Sequence, residues 1–436
     1  MDLLENKYME ISQLYQLFRE SAGVNTDSRT LQAGQLFFAL KGENFDGNSY
    51  ALKALEAGAL AAVVSEDCPG EDPRLVRVPD SLRCLKELAA FHRSQLRIPV
   101  IGLTGTNGKT TTKELIREVL STHFRVSATK GNLNNDIGVP LTVLSIPSDT
   151  EIAVVEMGAN HPDDISALTW VSQPDYGLIT NVGKAHLLGF GSFDGVKKAK
   201  GQLYDYLSAH DGQAFVNVDD ENLFEMASGR ALSIIPYAIE GEGVEILPAS
   251  AAEPFLRMQV GGQLLETRLV GAYNAANVMA AITVGRHFGV PLRDALGAIA
   301  AYRPSMNRSE MLQTQRNTVI QDAYNANPSS MAVALENLRR MEGKKAVLLG
   351  EMRELGAESL AEHVRVVETL QSMDLEKVCL VGEEFRKALE KSPLKAECFA
   401  DSDALAAYLE AHPLAGCMVL VKGSRGTRME KTITSL

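Results

Sequence analysis

A glycine-rich segment constrains the fold of this 436-residue chain more than any other feature. It reads Gly102-Leu-Thr-Gly-Thr-Asn-Gly108-Lys109-Thr110 and is close to the P-loop pattern G-x-x-x-x-G-K-[ST]. An apolar run, Val100–Leu103, leads into it, and a helical stretch from about Lys109 to Thr122 follows it. In that context backbone N–H groups converge on phosphate oxygens, Lys109 reaches the outer phosphates and the Thr110 hydroxyl contacts Mg²⁺. The alternative, a chance glycine- and threonine-rich turn, does not account for the strand and the helix on either side.

Patterns of buried strands alternate with helical patterns around this segment. Apolar runs recur at Ile152–Val155, Tyr176–Thr180 and Ala214–Val218, with helical stretches between them. Strands that alternate with helices favour a parallel, doubly wound sheet. Between residues 244 and 270 the pattern changes to short strands around Gly261-Gly262, which predicts antiparallel pairing at an edge of that sheet.

The rest of the chain forms two further α/β regions. A chain of 436 residues exceeds what one ordinary core accommodates. Residues 1–97 place short strands and helices around a polar, glycine-rich stretch suited to ligand-binding loops, and residues 313–436 repeat the strand–helix alternation. We therefore predict an α/β protein of three domains: a small α/β N-terminal domain (1–97), a central P-loop domain with a mostly parallel, doubly wound sheet (98–312) and a C-terminal Rossmann-like domain (313–436).

Composition argues against several classes of protein. Lys and Arg number 43 against 55 Asp and Glu, a net charge of −12, so we expect no nucleic-acid surface. No stretch approaches the roughly 18 continuous apolar residues of a membrane span. Residues 1–10 carry acids and lack an apolar core, so we expect no secretion signal. The five cysteines lack metal-ligand spacing, and their odd number in so long a chain indicates reduced thiols in a cytoplasmic protein.

Three residues near the P-loop strand have both a chemical and a plain interpretation. Glu156 follows the run Ile152–Val155, where a carboxylate suits Mg²⁺, although an acid at a strand end also faces solvent in many proteins. His186 comes just after another buried strand, and a single histidine is more often structural than a ligand. Lys200 belongs to a lysine-rich helical stretch, which by composition alone predicts a solvated face.

Two further polar groups, one late in the central region and one early in the third, also allow two interpretations. Asn274 and Asn277 lie one helical turn apart, where their amides could contact a base edge, whereas helix capping by Asn274 is the simpler interpretation. The segment Asp322–Pro328 follows a strand and precedes a helix. Its residues are ordinary turn formers, and the same position places polar groups at a ligand crevice.

Motifs of other nucleotide-binding classes are missing from the sequence. Neither the H-R-D and D-F-G motifs of protein kinases nor an Asn-Lys-x-Asp guanine-binding motif is present. The residues alone therefore indicate an NTP site in the central region, with α/β regions on both sides, and they leave the reaction open.

Taken in order, these motifs resemble the Mur ligase family of ATP-dependent enzymes that form amide bonds, over nearly the whole chain. The P-loop Thr104–Thr111 has the form that this family shares with folylpolyglutamate synthases. The chain is most similar to the branch that adds D-alanyl-D-alanine to UDP-N-acetylmuramoyl-tripeptide, and the Asp-Asn-Pro-Arg signature of the diaminopimelate-adding branch is absent. The segments that carry this likeness are Thr26–Arg29, Phe37–Gly47, Lys130–Pro140, Glu156–Asn160, Asp322–Pro328, Leu349–Gly356 and Lys422–Arg425.

The resemblance implies a set of site residues. The catalytic residues would be Lys109, His186 and Lys200. The ATP-binding residues would be Gly105, Thr106, Asn107, Gly108, Lys109, Thr110, Thr111, Asn274, Asn277, Arg308 and Asp322. Two Mg²⁺ ions would be held by Thr110, Glu156, His186 and Lys200, the last as a carbamylated lysine. The substrate-binding residues would be Ser28 and Arg29 at the uridine diphosphate end and Asn132, Asn134, Asn135 and Asn325 elsewhere.

Two positions depart from the family pattern. The family usually has His before the first adenine-contacting Asn, where this chain has Tyr273, so stacking is retained but the hydrogen bonding changes. The family also often has Glu two residues after the carbamylated lysine, where this chain has Gln202, which lowers the local negative charge.

The implied reaction is ligase chemistry in peptidoglycan precursor synthesis, and hence in cell wall biogenesis, cell shape and cell division. The peptide carboxylate attacks the γ-phosphate of ATP, and the amine of D-alanyl-D-alanine then displaces phosphate from the acyl phosphate. Mg²⁺ and Lys109 would offset the repulsion between the anions, and closure of the third domain would exclude water. We expect a monomer in the cytoplasm. The alternatives are another Mur- or folylpolyglutamate-type ligase with a different amine, and a P-loop ATPase switch.

Overall fold

The computed structural model of the protein describes residues 9–42, 45–239, 241, 243–248, 253–304 and 308–436. Residues 1–8, on which the expectation about a secretion signal rests, and residues 43–44 of the segment Phe37–Gly47 lie outside that description. The sheets follow one another along the chain, with four, six, three and six strands, and a two-stranded hairpin accompanies the first. The predicted α/β class is confirmed. The domain limits at 97/98 and 312/313 remain predictions.

The N-terminal sheet is parallel and has the strand order β1-β2-β5-β6. Every residue of β2 is buried, and the Asp80 carboxylate accepts hydrogen bonds from the N–H groups of Leu82 and Arg83, which fixes the start of α3. The sequence did not predict α1. The elements are α1 (Ile11–Glu20), β1 (Val24–Asn25), β2 (Leu36–Phe38), β3 (Lys41–Gly42), β4 (Phe45–Asp46), a 3₁₀ helix (Gly47–Tyr50), α2 (Ala51–Glu56), β5 (Ala61–Ser65), β6 (Leu75–Val78) and α3 (Ser81–Gln95).

The central sheet is parallel throughout, as predicted, with the order β12-β11-β10-β7-β9-β8. Strand β7 lies between β9 and β10, so the chain turns to opposite sides of β7 and the loop after β7 opens at the switch point where α/β sheets bind ligands. The elements are β7 (Val100–Thr104), α4 (Lys109–Ser121), β8 (Val126–Ala128), α5 (Gly138–Leu144), β9 (Ile152–Glu156), α6 (Asp164–Ser172), β10 (Tyr176–Ile179), α7 (Leu187–Phe190), α8 (Phe193–Ala209), β11 (Gln213–Asn217), α9 (Glu221–Ser228) and β12 (Ser233–Tyr237).

The next three strands are antiparallel, as predicted, but their expected place at an edge of the central sheet is wrong. They form a separate sheet of order β13-β14-β15. Strand β14 alternates between half-buried and buried residues, so its sheet packs by one face, whereas the inner strands β7 and β9 of the central sheet are buried throughout. Gly261 and Gly262, both at positive φ, form the two-residue turn. The elements are β13 (Val244–Leu247), β14 (Phe255–Val260), β15 (Gln263–Val270), α10 (Asn274–His287) and α11 (Leu292–Ala301).

The C-terminal sheet has the order β16-β17-β21-β18-β19-β20, with only β16 antiparallel. The Rossmann-like prediction is therefore confirmed. The elements are β16 (Glu310–Gln313), β17 (Thr318–Asp322), α12 (Pro328–Arg340), β18 (Lys344–Gly350), a 3₁₀ helix (Gly356–Glu358), α13 (Ser359–Gln371), β19 (Lys377–Val381), α14 (Glu383–Lys391), β20 (Glu397–Phe399), α15 (Ser402–Ala411), β21 (Cys417–Lys422) and 3₁₀ helices at Arg425–Thr427 and Met429–Ser435.

The two outer domains are joined to the central domain in different ways. One hydrophobic core continues from the N-terminal sheet and α3 into the central domain. The C-terminal domain has its own cores, and Val270 is the one buried member that the described residues before 308 contribute to them. All five cysteines are free thiols, four of them buried, as the sequence predicts. Within the described residues, none of the helices combines the length and the hydropathy needed to cross a bilayer.

Candidate active site

The loop after β7 has the backbone of a phosphate-binding turn. Gly105 and Gly108 have φ angles of 143° and 77°, which other residues rarely adopt. A Cβ atom on Gly105 would lie 2.0 Å from Thr180 Oγ1, and one on Gly108 would lie 2.7 Å from Asn277 Oδ1. Gly102 belongs to strand β7 and stands one residue too far from Lys109 for the pattern G-x-x-x-x-G-K-[ST]. The glycines of the loop are therefore Gly105 and Gly108.

The Lys109 ammonium lies over this turn. Its Nζ donates to the backbone oxygens of Gly105, at 2.8 Å, and of Thr106, at 3.0 Å. Burial lowers the pKa of Lys109 to about 8; the Glu156 carboxylate opposes that shift and the Arg308 charge adds to it. The side chain of Asn181 stabilises this loop. It accepts a hydrogen bond from the N–H of Asn107 and donates one to the Asn107 carbonyl, both at 3.0 Å.

Thr110 and Glu156 form a hydroxyl–carboxylate pair beside the turn. The Thr110 hydroxyl donates to Glu156 Oε2 at 3.0 Å, and the Asn134 amide donates to Oε1 at 2.7 Å. Glu156 is only 1% exposed, so the alternative of a solvent-facing strand-end acid is wrong. Because β9 pairs directly with β7, its last residue must lie next to the P-loop. Oxygen ligands of this kind suit Mg²⁺.

Lys200 is buried, and the solvated face that composition predicted for it is wrong. Its side chain is 2% exposed, with Nζ 5.5 Å from the centre of the Phe190 ring, and it makes no hydrogen bond or ion pair to the part of the chain that the structure describes. Burial, together with the Lys109 charge, lowers the pKa of Lys200 well below its usual value, against a smaller opposing effect of Asp164. Helix α8 turns this face inward, where Ala199, Lys200 and Leu203 are all buried.

His186 lies between this lysine and the C-terminal domain. Its φ is 51°, and its Nδ1 pairs closely with the carboxylate of Glu354, which also has a positive φ. Burial lowers the pKa of His186; Glu354 opposes the shift, and the Lys109 and Lys200 charges reinforce it. Lys109, His186 and Lys200 are thus close enough to influence one another, and the structure brings the three predicted catalytic residues together.

Asn274 and Asn277 brace helix α10 against the P-loop helix. Both are buried; Asn277 donates to Asn274 Oδ1 at 2.8 Å and accepts from Thr112 Oγ1 at 3.0 Å. The N-cap position is Tyr273, and Asn274 Nδ2 donates to the Val270 carbonyl, so the capping interpretation of Asn274 is wrong. Contact with adenine remains a prediction for both.

The C-terminal domain adds polar and aromatic groups across from the P-loop. The Arg308 guanidinium stacks on Tyr324, with Cζ 3.7 Å from the ring centre, and Asp322 accepts from the buried Lys422 ammonium. A cavity of about 340 Å³ opens between the two domains, lined by Ala185, His186, Tyr324, Asn325, Ala326, Asn327, Arg353, Glu354, Ser424, Arg425 and Gly426.

Direct contacts join the P-loop edge to the C-terminal domain. The Asn327 amide donates to Asn107 Oδ1 at 2.8 Å, and Lys184 Nζ lies 2.9 Å from Glu362. Sequence reasoning did not assign roles to Asn327, Lys184 or Glu354. Asn327 lies in the quoted segment Asp322–Pro328, which could have identified it, whereas Lys184 carries no such signal.

The predicted uridine end of the substrate site lies on the N-terminal domain. Thr26, Asp27, Ser28, Arg29, Phe45 and Tyr50 surround a cavity of about 390 Å³. The two aromatic rings, which sequence reasoning did not select, stack at 5.5 Å. The Arg29 guanidinium pairs with the Asp27 carboxylate at 2.7 Å, and this hydrogen bond lowers the pKa of Asp27 to about 2.

The loop before α5 holds the three remaining asparagines, and the structure uses them differently. Asn134 contacts Glu156, while Asn135 Oδ1 accepts from the N–H of Gly138 at 2.8 Å and so supports the start of α5. Asn132 is exposed, with its carbonyl accepting from the N–H of Asn134. Only Asn134 is therefore brought into the P-loop edge.

The two departures have local roles. Tyr273 donates or accepts a 2.8 Å hydrogen bond with Ser309 at the junction with the C-terminal domain. Gln202 donates to Asp163 at 2.7 Å and accepts from the N–H of Ser166 at 3.1 Å, so it fastens α8 to the start of α6.

Family models match three successive parts of the chain: the Mur ligase family catalytic domain at residues 20–93, the Mur ligase middle domain at 103–285 and the Mur ligase glutamate ligase domain at 307–425. The chain belongs to the Mur ligase family. Two similar relatives are each named UDP-N-acetylmuramoyl-tripeptide–D-alanyl-D-alanine ligase. That of Escherichia coli K12 is 36% identical and that of Bacillus subtilis 168 is 34% identical, each over 95% of this chain and 93% of the relative.

Solved structures agree with this assignment. A crystal structure of MurF from Acinetobacter baumannii superposes with a TM-score of 0.85 at 31% identity and covers 97% of both chains. The MurF ligase of Thermotoga maritima in complex with ADP has a TM-score of 0.83 at 28% identity and covers 96% of this chain and 97% of the other. The likeness to these MurF structures therefore extends over nearly the whole chain.

Proposed function

We propose that the protein joins D-alanyl-D-alanine to UDP-N-acetylmuramoyl-tripeptide, using ATP and releasing ADP and phosphate. One observation carries this proposal: Lys109 and the Thr110–Glu156 pair lie at the carboxyl edge of the central sheet, and the buried Lys200 and the half-buried His186 both lie against the Phe190 ring nearby. The relatives that carry this activity in their names match over nearly all of the chain. The proposed place of action is the cytoplasm, where the nucleotide substrates are made.

ATP would bind with its phosphates in the Gly105–Gly108 turn. The positive-φ glycines leave no room for side chains and turn N–H groups outward, and the start of α4 adds positive potential. The buried Asn274–Asn277 pair would be next to the adenine, and Arg308 and Asp322 would complete the site from the C-terminal side. The structure of the Thermotoga maritima MurF ligase in complex with ADP supports an adenine nucleotide.

The residues beside the turn fit a Mg²⁺ ion. Thr110 and Glu156 offer a hydroxyl and a carboxylate within 3.0 Å of one another, the hard oxygen donors that Mg²⁺ prefers. When bound, Mg²⁺ would neutralise phosphate charge as the carboxylate approaches. Among the described residues, no group of three or more His, Cys, Asp or Glu side chains is arranged to hold a metal alone. We propose that the remaining ligands of this ion come from the nucleotide.

A second Mg²⁺ fits His186 and Lys200 only if the lysine is carbamylated. A plain ammonium would repel the ion, whereas a carbamate presents anionic oxygens. Carbamate forms from the neutral amine, and the burial that lowers the pKa of Lys200 favours that form. The modification is thus a proposal that this environment supports.

The chain's own residues would then do four things in the reaction. Lys109 holds its charge where the γ-phosphate is attacked by the peptide carboxylate, which forms an acyl phosphate and releases ADP. The N-terminal cavity, with Ser28, Arg29 and the stacked Phe45 and Tyr50, holds the uridine diphosphate end. Asn325 lines the interdomain cavity, where the amine of the dipeptide attacks the acyl carbon and phosphate leaves. The Asn107–Asn327 contact keeps the C-terminal domain over the intermediate and excludes water.

All proposed site residues lie on one chain, and we propose that a monomer suffices. The test of the function is phosphate release from ATP with the muramoyl tripeptide alone, with D-alanyl-D-alanine alone and with both. A ligase of this kind needs both substrates and forms one pentapeptide product per phosphate. If another amine replaces the dipeptide with higher kcat/KM, the protein is a different Mur- or folylpolyglutamate-type ligase. Release with neither substrate would indicate an ATPase switch.

A further inference from the structure

Lys113 is a buried cation that the reaction outlined above does not use. It follows Lys109 by one helical turn on α4 and has no exposed surface. Its Nζ donates to the Thr129 carbonyl at 2.5 Å and lies 2.9 Å from Glu114 Oε1 and 3.9 Å from Glu156 Oε2. The Thr129 carbonyl and Glu114 lie within hydrogen-bond distance of the ammonium, and the Glu156 carboxylate adds a longer ion pair. A buried charge is stable only when it is compensated in this way.

Lys113 contacts Glu156 and its neighbour Thr129 on the side away from Thr110 and Asn134. Thr129, whose carbonyl it binds, accepts the backbone N–H of Glu156 on its own hydroxyl at 2.9 Å. The Glu156 carboxylate is then oriented on its other side by Thr110 and Asn134. Lys113 therefore connects the P-loop helix, the end of β8 and the end of β9, which are the elements that carry the Thr110–Glu156 pair.

We propose that Lys113 is a positioning residue for the Mg²⁺ site: it holds the Glu156 carboxylate and the Thr129 backbone in the arrangement that binds the ion. The inference rests on the proposed role of Glu156 as a Mg²⁺ ligand. Lys113 touches neither the nucleotide nor the reacting atoms. Groups that orient a metal ligand typically contribute 10–100-fold to metal affinity.

The chain offers a matched control on the same helix. Arg117 lies one turn further along α4 and pairs with the same Glu114 at 2.8 Å, but its side chain is partly exposed, and its ion pairs within the described residues are to Glu114 and Glu118. Removing the Arg117 charge breaks its ion pair with Glu114 and leaves the ion pair between Lys113 and Glu114 in place. Arg117→Gln should therefore leave metal binding unchanged.

The experiment titrates Mn²⁺, which replaces Mg²⁺ at oxygen sites, into ADP-loaded protein by calorimetry, for the parent, Lys113→Gln, Arg117→Gln and Glu156→Gln. Lys113→Gln keeps a donor for the Thr129 carbonyl and loses the charge. We expect Mn²⁺ to bind about 10–100-fold more weakly to Lys113→Gln, while ADP binding without metal stays at the parent's value. Lys113→Arg, which keeps the charge, should recover most of the affinity.

Melting temperature separates a merely structural role from this one. If Lys113→Gln melts lower but binds Mn²⁺ as tightly as the parent, while Glu156→Gln binds it weakly, the inference is overturned and the metal site stands. If Glu156→Gln also binds Mn²⁺ like the parent, the metal assignment fails together with the inference. If Lys113→Gln does not fold, the double variant Lys113→Met/Glu114→Gln replaces it. This variant removes both members of the ion pair, so neither charge of that pair is left buried without its partner. Its Mn²⁺ affinity and melting temperature are interpreted in the same way.

Discussion

The two outer domains meet the central domain through surfaces of opposite chemical character. On the N-terminal side, helix α3 packs on the central helices α5 and α6 within one continuous hydrophobic core. The buried Arg93 of α3 donates to the Ser172 carbonyl and to the Asp175 carboxylate, which itself accepts the N–H of Val100 at the start of β7. An interface built in this way behaves as part of one folding unit.

On the C-terminal side the contacts are polar and partly exposed. Asn327 meets Asn107, Lys184 meets Glu358 and Glu362, and His186 meets Glu354. Exposed ion pairs typically contribute about 0–1 kcal/mol each, and polar interdomain surfaces permit relative motion. The difference teaches that the N-terminal and central domains share one core, and we therefore expect the C-terminal domain to be the part that opens and closes on them.

The strongest test of the apolar interface is Leu88→Ala on α3. Leu88 has no exposed surface and belongs to the shared core, so its truncation should lower the free energy of unfolding by about 2–5 kcal/mol. Urea denaturation measures this loss, and kcat per folded molecule should stay close to the parent's. A loss below about 1 kcal/mol would show that the two domains do not share a core.

Lys109→Ala tests the opposite behaviour at the polar edge. Removing one preorganised charge of this kind typically lowers turnover by about 10²–10³, while the melting temperature should not fall because the ammonium bonds only to its own loop carbonyls. Turnover is followed by phosphate release with both substrates present. Near-normal turnover in a folded variant would remove the P-loop assignment.

Lys200→Ala should lower turnover by about 10² or more, since it removes a proposed oxygen ligand of the second ion. Short carboxylic acids added to the assay should restore part of the activity by filling the vacated oxygen site next to His186. Lys197→Ala, one turn earlier on the same helix, is the control because its partly exposed ammonium pairs with the exposed Glu225. Absence of rescue, with a plain ammonium seen in electron density, would contradict the carbamate.

Arg29→Ala should weaken the nucleotide-sugar substrate about 10–100-fold, the loss expected for a charged hydrogen bond of about 1.5–3 kcal/mol. ATP affinity should not change, since the N-terminal cavity is built from other elements than the P-loop. Calorimetry with each ligand separately decides the matter. Equal nucleotide-sugar affinity in parent and variant would mean that the cavity has another ligand.

Asn327→Asp is the mildest change and tests whether the polar interface controls coupling. The variant keeps the oxygen that caps α12 but loses the amide that donates to Asn107. Losing this single hydrogen bond, about 0.5–1.5 kcal/mol, should reduce kcat by about two- to tenfold. Phosphate released per pentapeptide should rise above one, because a less closed domain admits water. A ratio of one at reduced kcat would mean that the contact only speeds closure.

The sequence predicted the layered parts of the molecule because they obey simple periodicity. The run Ile152–Val155 is apolar throughout and the run Tyr176–Thr180 is apolar up to its last residue, as expected of strands that are covered on both faces of a sheet. The prediction placed β13 to β15 at an edge of the central sheet, which is wrong. Alternation of apolar and polar residues shows which face of a strand is buried, but it does not show which element covers that face. The P-loop edge was predictable for the same reason as its strands: parallel strands end together.

Burial of charge was the part that the sequence could not supply. Lys113 and Lys200 look like solvated lysines in a polar helix, and only the packing of α4 and α8 shows that both are enclosed. The roles of Glu354 and Lys184 could not be predicted from the sequence either, because they depend on how the C-terminal domain contacts the loop after β10. Residue type carries little information about such positions, and the resemblance to the family identified Lys200 but not Lys113.

The continuous core between the N-terminal and central domains has a consequence for substrate length. The Phe45–Tyr50 cavity and the Lys109 loop lie on domains that share one core, so the distance between them is constant. This distance sets the length of substrate that can reach from one to the other. One extended residue adds about 3.3–3.6 Å to a peptide. A precursor with one residue fewer, anchored at its uridine end, would leave its terminal carboxylate that far short of the phosphates. The enzyme would then discriminate between peptide stems of different length without a pocket for the missing residue, because the distance between the two sites is constant.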